Sequence, residues 1–362
     1  MMPRRIARVV AINLAILLAG VILLELAFGN WIFGPHLGYL TITRDVMIRR
    51  DINPVEPGGG IAVYTRDKYG LRGDYGGDPA NIDIFVMGGS TTNELYVTDE
   101  KTWVAQLDRL LAEGGTGLKA VNAGVDGHSS IAHIRSFDVW LPEIPRLHPK
   151  YFMFYIGINE PIADDLEKYD LIEEKRFWAK VSRTFRNNSA LNNLYRVVRG
   201  YLRARQVRIV HERMEFKEAL MTARWNGDPA LRRKVAEQWR KQLEAYESRA
   251  RRLVQLVRAR NATPIFVTQT RGDYRWHREA LIGMNEGALE QAMIHRLFNE
   301  VTMRVCREAD GICIDLEREI QFSDGDFYDH AHVVASGSRK IAEVIYRGLR
   351  DQLPKAAAAG AR

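Results

Sequence analysis

Between Val9 and Phe28 the chain is apolar almost without a break; Asn13 and Glu25 are the exceptions in a run of 20 residues. At about 1.5 Å per residue, a helix of that length spans about 30 Å, the hydrocarbon thickness of a bilayer. Arg4, Arg5 and Arg8 precede the run, and the next Lys or Arg is Arg44. This asymmetry predicts a cytoplasmic N-terminus and export of the remainder, with Trp31 at the far interface. The run exceeds the about 7–15 apolar residues of a cleaved signal peptide, and no clean small-x-small cleavage site is seen. An uncleaved, single-pass anchor in the inner membrane is therefore expected. Residues 1–30 form its stub and span, and the folded part faces the periplasm.

Residues 31–80 carry Pro54, Pro57 and Gly58-Gly59-Gly60 and show no helical period. They are expected to be an irregular approach segment with one short strand near Ile61–Tyr64. A βα pattern then begins. Strands are predicted at 82–87, 118–121 and 151–156, with helices over 103–111 and 131–140. Tyr151–Ile156 is apolar throughout, as a strand buried on both faces must be. Residues 161–262 contain no convincing strand and read as a helical insertion, with long helical stretches such as 229–260. The pattern resumes with strands at 264–268 and 311–316 and helices over 289–308 and 336–353. The tail, 354–362, is small and polar. Five strands alternating with helices imply a parallel sheet covered on both faces. The sheet domain then comprises 81–160 and 263–353.

In such sheets ligands bind where the strands end. Four polar clusters fall there: Gly88-Gly89-Ser90-Thr91-Thr92, Asn122 to His128, Gly157-Ile158-Asn159-Glu160, and Asp329-His330-Ala331-His332. A serine hydroxyl needs a base to take its proton, and the base needs a third group to orient it. Asp329 and His332 can share one loop and turn toward Ser90. A tetrahedral intermediate also needs donors for its oxyanion. The Ser90 and Gly127 backbone N–H groups and the Asn159 amide are the candidates.

The order Gly-Gly-Ser90, Gly127, Gly-Ile-Asn159, Asp329-x-x-His332, followed by Val-Val-Ala-Ser-Gly337, resembles the four blocks of the SGNH (GDSL-like) hydrolase superfamily. The resemblance covers roughly 81–160 and 263–353 and implies a flavodoxin-like three-layer α/β/α fold and ester hydrolysis. Carried over residue by residue, it makes Ser90 the nucleophile, Gly127 and Asn159 oxyanion donors, and Asp329 and His332 the rest of a triad. Tyr64–Gly73, with its Tyr-Gly-Leu-Arg-Gly core, resembles a segment of membrane-anchored members linked to cell-surface polysaccharide. Two positions depart from the pattern. Gly89 stands where the family has Asp before the nucleophile, and Glu160 where it has Asp after the asparagine.

Composition narrows the field. With 362 residues, 46% apolar and 27% charged, the chain is an ordinary globular one with net charge +7. Disordered, collagen-like and multi-span classes are excluded. The glycine loop at Ser90 lacks the Gly-Lys-Ser/Thr of a phosphate loop, and nothing singles out nucleic acid as a partner. His330 is expected at the rim. Asp126, His128, His133 and His330 leave no compact three-ligand set once His332 is assigned, so neither metal nor cofactor is expected. Cys306 and Cys313 are read as small core hydrophobes rather than a disulfide. Trp276, His277, Met284 and Asn285 follow the fourth strand and are candidates for the substrate cleft. The basic stretch Lys175–Arg208 is either a solvated helix face or a contact for anionic lipid or glycan.

The sequence thus predicts an anchored, extracytoplasmic serine esterase. Its substrate would be an acylated carbohydrate of the cell envelope, such as an O-acetyl ester, or another small ester. Two alternatives stand beside it. One is an O-acetyltransferase using the same triad with a polysaccharide-synthesis membrane protein as partner; the other is a non-catalytic scaffold of polysaccharide assembly.

Overall fold

The computed structural model describes residues 4–32, 42–162, 178, 181, 184–185, 188–206 and 213–353. They divide into two compact units, Met1–Thr41 with Glu167–Val210, and Ile42–Leu166 with His211–Arg362. In the first unit, α1 (Arg4–Phe28) takes in the apolar run and adds one turn before it. Among the described residues it is the one helix long and apolar enough to cross a membrane, and none of its apolar window is buried within the protein.

The second unit begins with a hairpin. β1 (Val46–Asp51) pairs antiparallel with β2 (Ile61–Arg66), Val46 opposite Arg66. The short strand expected near Ile61 is thus present and longer, and its partner went unforeseen. β3 (Ile84–Gly88), β4 (Ala120–Asn122) and β5 (Tyr151–Tyr155) alternate with α2 (Ser90–Asn93), α3 (Trp103–Glu113) and α4 (Ser130–Val139). α5 (Ala190–Gln206) belongs to the first unit.

The second unit resumes with β6 (Ala223–Trp225), α6 (Pro229–Gln238) and α7 (Arg240–Arg258). The expected helix over 229–260 is two helices, broken at Trp239, whose φ of −103° and ψ of 9° leave the helical range. β7 (Thr263–Val267), β8 (Tyr274–His277), β9 (Ala280–Gly283), α8 (Glu286–Glu308), β10 (Ile312–Ile314), α9 (Leu316–Glu319) and α10 (Ala335–Arg350) complete it.

The central sheet is five-stranded and parallel, in the order β10-β7-β5-β3-β4. Side chains alternate across each strand. Ile84, Val86, Met153 and Ile265 pack with Trp103 and Leu107 of α3 and Ile345 of α10 on one face. Phe85, Phe152 and Phe154 face the other way, where Phe85 meets Trp140 and Phe152 meets Phe137 of α4. α7 and α8 join that second layer, their rings touching at Tyr246 and Phe298. The architecture is the three-layer α/β/α sandwich that the pattern implied.

Two expectations need correction. The insertion does contain a strand, because β6 pairs with β9 in a three-stranded antiparallel sheet, β6-β9-β8. Three residues are too short to show alternation. The β8–β9 turn uses Arg278 at φ 57°, where a glycine or asparagine would have signalled a hairpin. Cys306 and Cys313 are not separate core hydrophobes but a disulfide, with Cα atoms 5.9 Å apart. α8 ends at Glu308, and Asp310, at φ 48°, reverses the chain, so β10 starts beside the helix's last turn.

Candidate active site

β3 delivers the nucleophile candidate. It ends at Gly88, Gly89 caps the next turn, and Ser90 opens α2. α2 closes after one turn, because Glu94 adopts the left-handed conformation at φ 52°. Two buried arginines hold this turn from behind. Arg66 donates to Asn93 Oδ1 and, at 2.6 Å, to Gly124 O. Arg72 donates to Asn93 O at 2.6 Å and Glu94 O at 3.0 Å, and pairs with Asp99 at 2.6 Å. Arg72 also exchanges backbone hydrogen bonds with Asn122 of β4. The Tyr-Gly-Leu-Arg-Gly segment therefore forms the floor beneath the Ser90 turn.

The second half of the site comes from the loop before α10. Tyr328 N–H donates to His332 O and Val334 N–H to Asp326 O, which makes a small hairpin with Asp329 to His332 around its tip. Asp329 Oδ1 accepts the backbone N–H of Ala331 at 2.9 Å and of His332 at 2.8 Å, so the carboxylate is fixed before the imidazole meets it. His332 Nδ1 lies 2.8 Å from Asp329 Oδ2, and His332 Nε2 lies 2.7 Å from Ser90 Oγ. The Tyr328 ring stacks on the imidazole at 5.6 Å between centroids. Residues 90 and 332, 242 apart in sequence, are thus in hydrogen-bond contact.

The three oxyanion candidates come together in part. Gly127 sits at φ 74°, in the left-handed region, and a Cβ there would point into open space. Its neighbour His128 accepts, through its carbonyl, one N–H of the Asn159 amide at 2.8 Å. Asn159 in turn lies against Gly89: a Cβ on Gly89 would come within 2.5 Å of Asn159 Nδ2. Thus Gly127, Asn159 and the residue before Ser90 adjoin one another, and a side chain at position 89 would require the Asn159 amide to shift.

Gln269, Asn299 and Arg249 carried no sequence signal, and Glu160 stood out in the sequence only as a departure from the motif. Gln269, buried after β7, spans two of the loops. Its Oε1 accepts the N–H of Ile158 at 2.7 Å and its Nε2 donates to Thr91 Oγ1 at 2.8 Å. Asn299 holds the Gln269 backbone in turn. Glu160 is buried, accepts from Ser130 N–H at 2.6 Å, and pairs with the buried Arg249 of α7 at 2.8 Å. A polar residue in a loop looks the same in sequence whether it bridges two loops or faces water.

Electrostatics follow burial. The carboxyl of Glu94, enclosed between Trp103 N–H and Ser338 Oγ, is pushed up to about 8 by desolvation. Desolvation likewise pushes the imidazole of His128 down to about 3, so it is neutral at ordinary pH. His330 meets Asp273 at 3.1 Å beside the bidentate Arg271–Asp273 pair. Those partners hold the Asp273 carboxylate below its usual range, against the opposing effect of burial.

The proposed cleft residues lie as follows. The Trp276 ring packs against the guanidinium groups of Arg318 at 4.0 Å and Arg296 at 4.5 Å. His277 pairs with the exposed Glu218 at 3.0 Å. The Asn285 side chain caps α8 by accepting from Ala288 N–H at 2.9 Å, and Met284 O accepts from Thr222. None of these partners is Ser90, Asp329 or His332. In the basic stretch, the side chains of Arg196 and Arg199 are exposed; Lys175, Arg176, Lys180, Arg183, Arg186 and Arg208 lie outside the described residues.

A parallel α/β/α sandwich thus carries a serine, histidine and aspartate in hydrogen-bonded series at the ends of its strands. No family model and no curated protein matches the chain. Solved structures do. TesA is 13% identical, covering 74% of this chain and 98% of its own, with a TM-score of 0.43. A catalytic mutant of Axe2, an acetylxylan esterase from Geobacillus stearothermophilus, is 12% identical over 76% of this chain and 97% of its own, with a TM-score of 0.41. The psychrotrophic esterase EstA from Pseudoalteromonas is 12% identical over 75% and 98%, with a TM-score of 0.41.

Proposed function

We propose that the chain is a membrane-anchored, extracytoplasmic serine esterase of the SGNH type. The observation that carries this reading is the relay of Ser90 Oγ, His332 and Asp329, at 2.7 and 2.8 Å. His332 Nε2 takes the Ser90 proton as Oγ attacks the ester carbonyl, and Asp329 holds the imidazole through Nδ1–H and stabilises its cation. The oxyanion is received by the Ser90 and Gly127 N–H groups and the second N–H of Asn159. His332 then protonates the leaving alcohol. Water, deprotonated by the same imidazole, releases the acid and restores Ser90.

The substrate we propose is an O-acyl ester, such as O-acetyl, on a cell-envelope carbohydrate. Export is supported by the apolar α1 behind its arginines and by the Cys306–Cys313 disulfide, a bond that persists outside the reducing cytosol. The test uses the full chain in detergent. Wild type should be labelled by a fluorophosphonate and should hydrolyse p-nitrophenyl acetate. Ser90→Ala should lose the label and about a thousandfold or more in turnover. An unlabelled wild type with no ester turnover would leave the scaffold reading. Turnover that requires a sugar acceptor, with little hydrolysis, would instead make it a transferase.

A further inference from the structure

The first unit contains a helix, α5, whose apolar face is exposed among the described residues. α5 carries Leu191, Leu194, Tyr195, Val198 and Leu202, which fall within about 100° of arc at 3.6 residues per turn. All five are exposed, by 43 to 60%. The same helix contains Arg196, Arg199, Arg203 and Arg205 and no Asp or Glu. An apolar stripe on a purely cationic helix is the composition of a helix that lies in a membrane interface.

Where α5 begins is set by α1. Glu25, the one acidic residue of the apolar run, accepts from Ser189 Oγ at 2.8 Å and from the N–H groups of Ala190 at 2.9 Å and Leu191 at 3.1 Å. Trp31 Nε1 donates to the same carboxylate at 2.9 Å. The first N–H groups of any helix lack partners within it, and here a carboxylate from another helix supplies them. Glu25 lies three residues, or about 4.5 Å, from the end of α1. α5 therefore starts at the level where α1 leaves the hydrocarbon. An apolar space of about 510 Å³ opens between the two helices, lined by Ile22, Leu26, Trp31, Phe185, Leu191 and Tyr195.

We propose that α5 lies on the bilayer surface, hung from the end of α1 through Glu25. Its apolar face enters the upper acyl-chain region, with the exposed Arg196 and Arg199 on the side toward anionic headgroups. This rests on the reading of α1 as a membrane anchor. The occupant is lipid because the face continues directly from the spanning helix.

The test reconstitutes the full chain in vesicles of phosphatidylcholine with one-third phosphatidylglycerol. Cys306 and Cys313 are bonded to each other, so a single added cysteine takes an environment-sensitive dye. Three variants are compared: Leu17→Cys in α1, Val198→Cys on the apolar face of α5, and Arg196→Cys on its opposite side. A shallow lipid nitroxide should quench the dye at 198, and iodide should reach it several-fold less than the dye at 196. A deep nitroxide should quench the dye at 17. Adding Glu25→Ala should raise iodide access at 198 several-fold and leave 17 unchanged; no change at 198 would overturn the attachment through Glu25. Equal iodide access at 198 and 196, with 17 still quenched, overturns the interfacial helix and leaves the anchor standing. Protection at 198 without lipid quenching means that a second copy or another protein covers the face, which also overturns it. A dye at 17 that no lipid nitroxide reaches removes the anchor itself.

Discussion

Gly89 sets how close Asn159 can come to Ser90. With 2.5 Å between a Cβ at position 89 and the Asn159 amide nitrogen, any side chain displaces that amide. The backbone there, at φ −87°, is open to alanine. Gly89→Ala should therefore fold normally and lose about 10²–10³-fold in kcat with little change in KM, the cost of losing one oxyanion donor. Steady-state kinetics on a simple ester, with a melting curve as control, checks this. At this scale the sequence was legible where chemistry restricts the residue type: it singled out Ser90, His332 and Asp329, which the structure brings into hydrogen-bond contact. Gln269 escaped, and Arg66 and Arg72 were noted only within the Tyr64–Gly73 segment, because their value lies in what they reach across the fold, and reach is not written in residue type.

Among the elements, α7 reaches the site's loops through one buried ion pair. It places Arg249 beside Glu160, the residue after Asn159, and both side chains are fully buried. Removing one member of such a pair leaves an uncompensated charge in a dry interior. Arg249→Ala should cost about 3–5 kcal/mol in urea unfolding. Arg249→Met combined with Glu160→Leu should recover most of that loss, yet activity should stay low because Glu160 also holds the N-terminus of α4 at Ser130. The parallel strands were readable as elements because each is a continuous apolar run ended by glycine or polar residues. The β8–β9 hairpin and β6 were not, since their turn residues and length fall outside the usual signals. The disulfide was missed for a related reason. Each cysteine was weighed within its own element, and the reversal at Asp310 that joins them belongs to neither.

For the folded molecule as a whole, the buried titratable groups set how stability varies with pH. Glu94, raised to about 8, and Glu317, raised to about 7, hold protons in the folded state that the unfolded chain releases near 4.5. Their contribution is complete below that pH and is lost as pH rises through the folded values. His128 and His295, both pushed down to about 3, act oppositely: their contribution is present above 6.5 and is lost as pH falls toward 3. Between about pH 6.5 and 8 the carboxyls dominate, so unfolding free energy should decline across that window. Glu94→Gln keeps an acceptor for Trp103 N–H and a donor for Ser338, and should flatten the decline. Urea titrations at pH 6.5 and 8 give the comparison; an unchanged slope in the variant would refute the assignment.

The relay itself has a temporal consequence. Ser90 leaves the ribosome early, whereas the hairpin that brings its imidazole is made 242 residues later. A nascent polypeptide consequently lacks the contact between Ser90 and His332 until that late hairpin has been made.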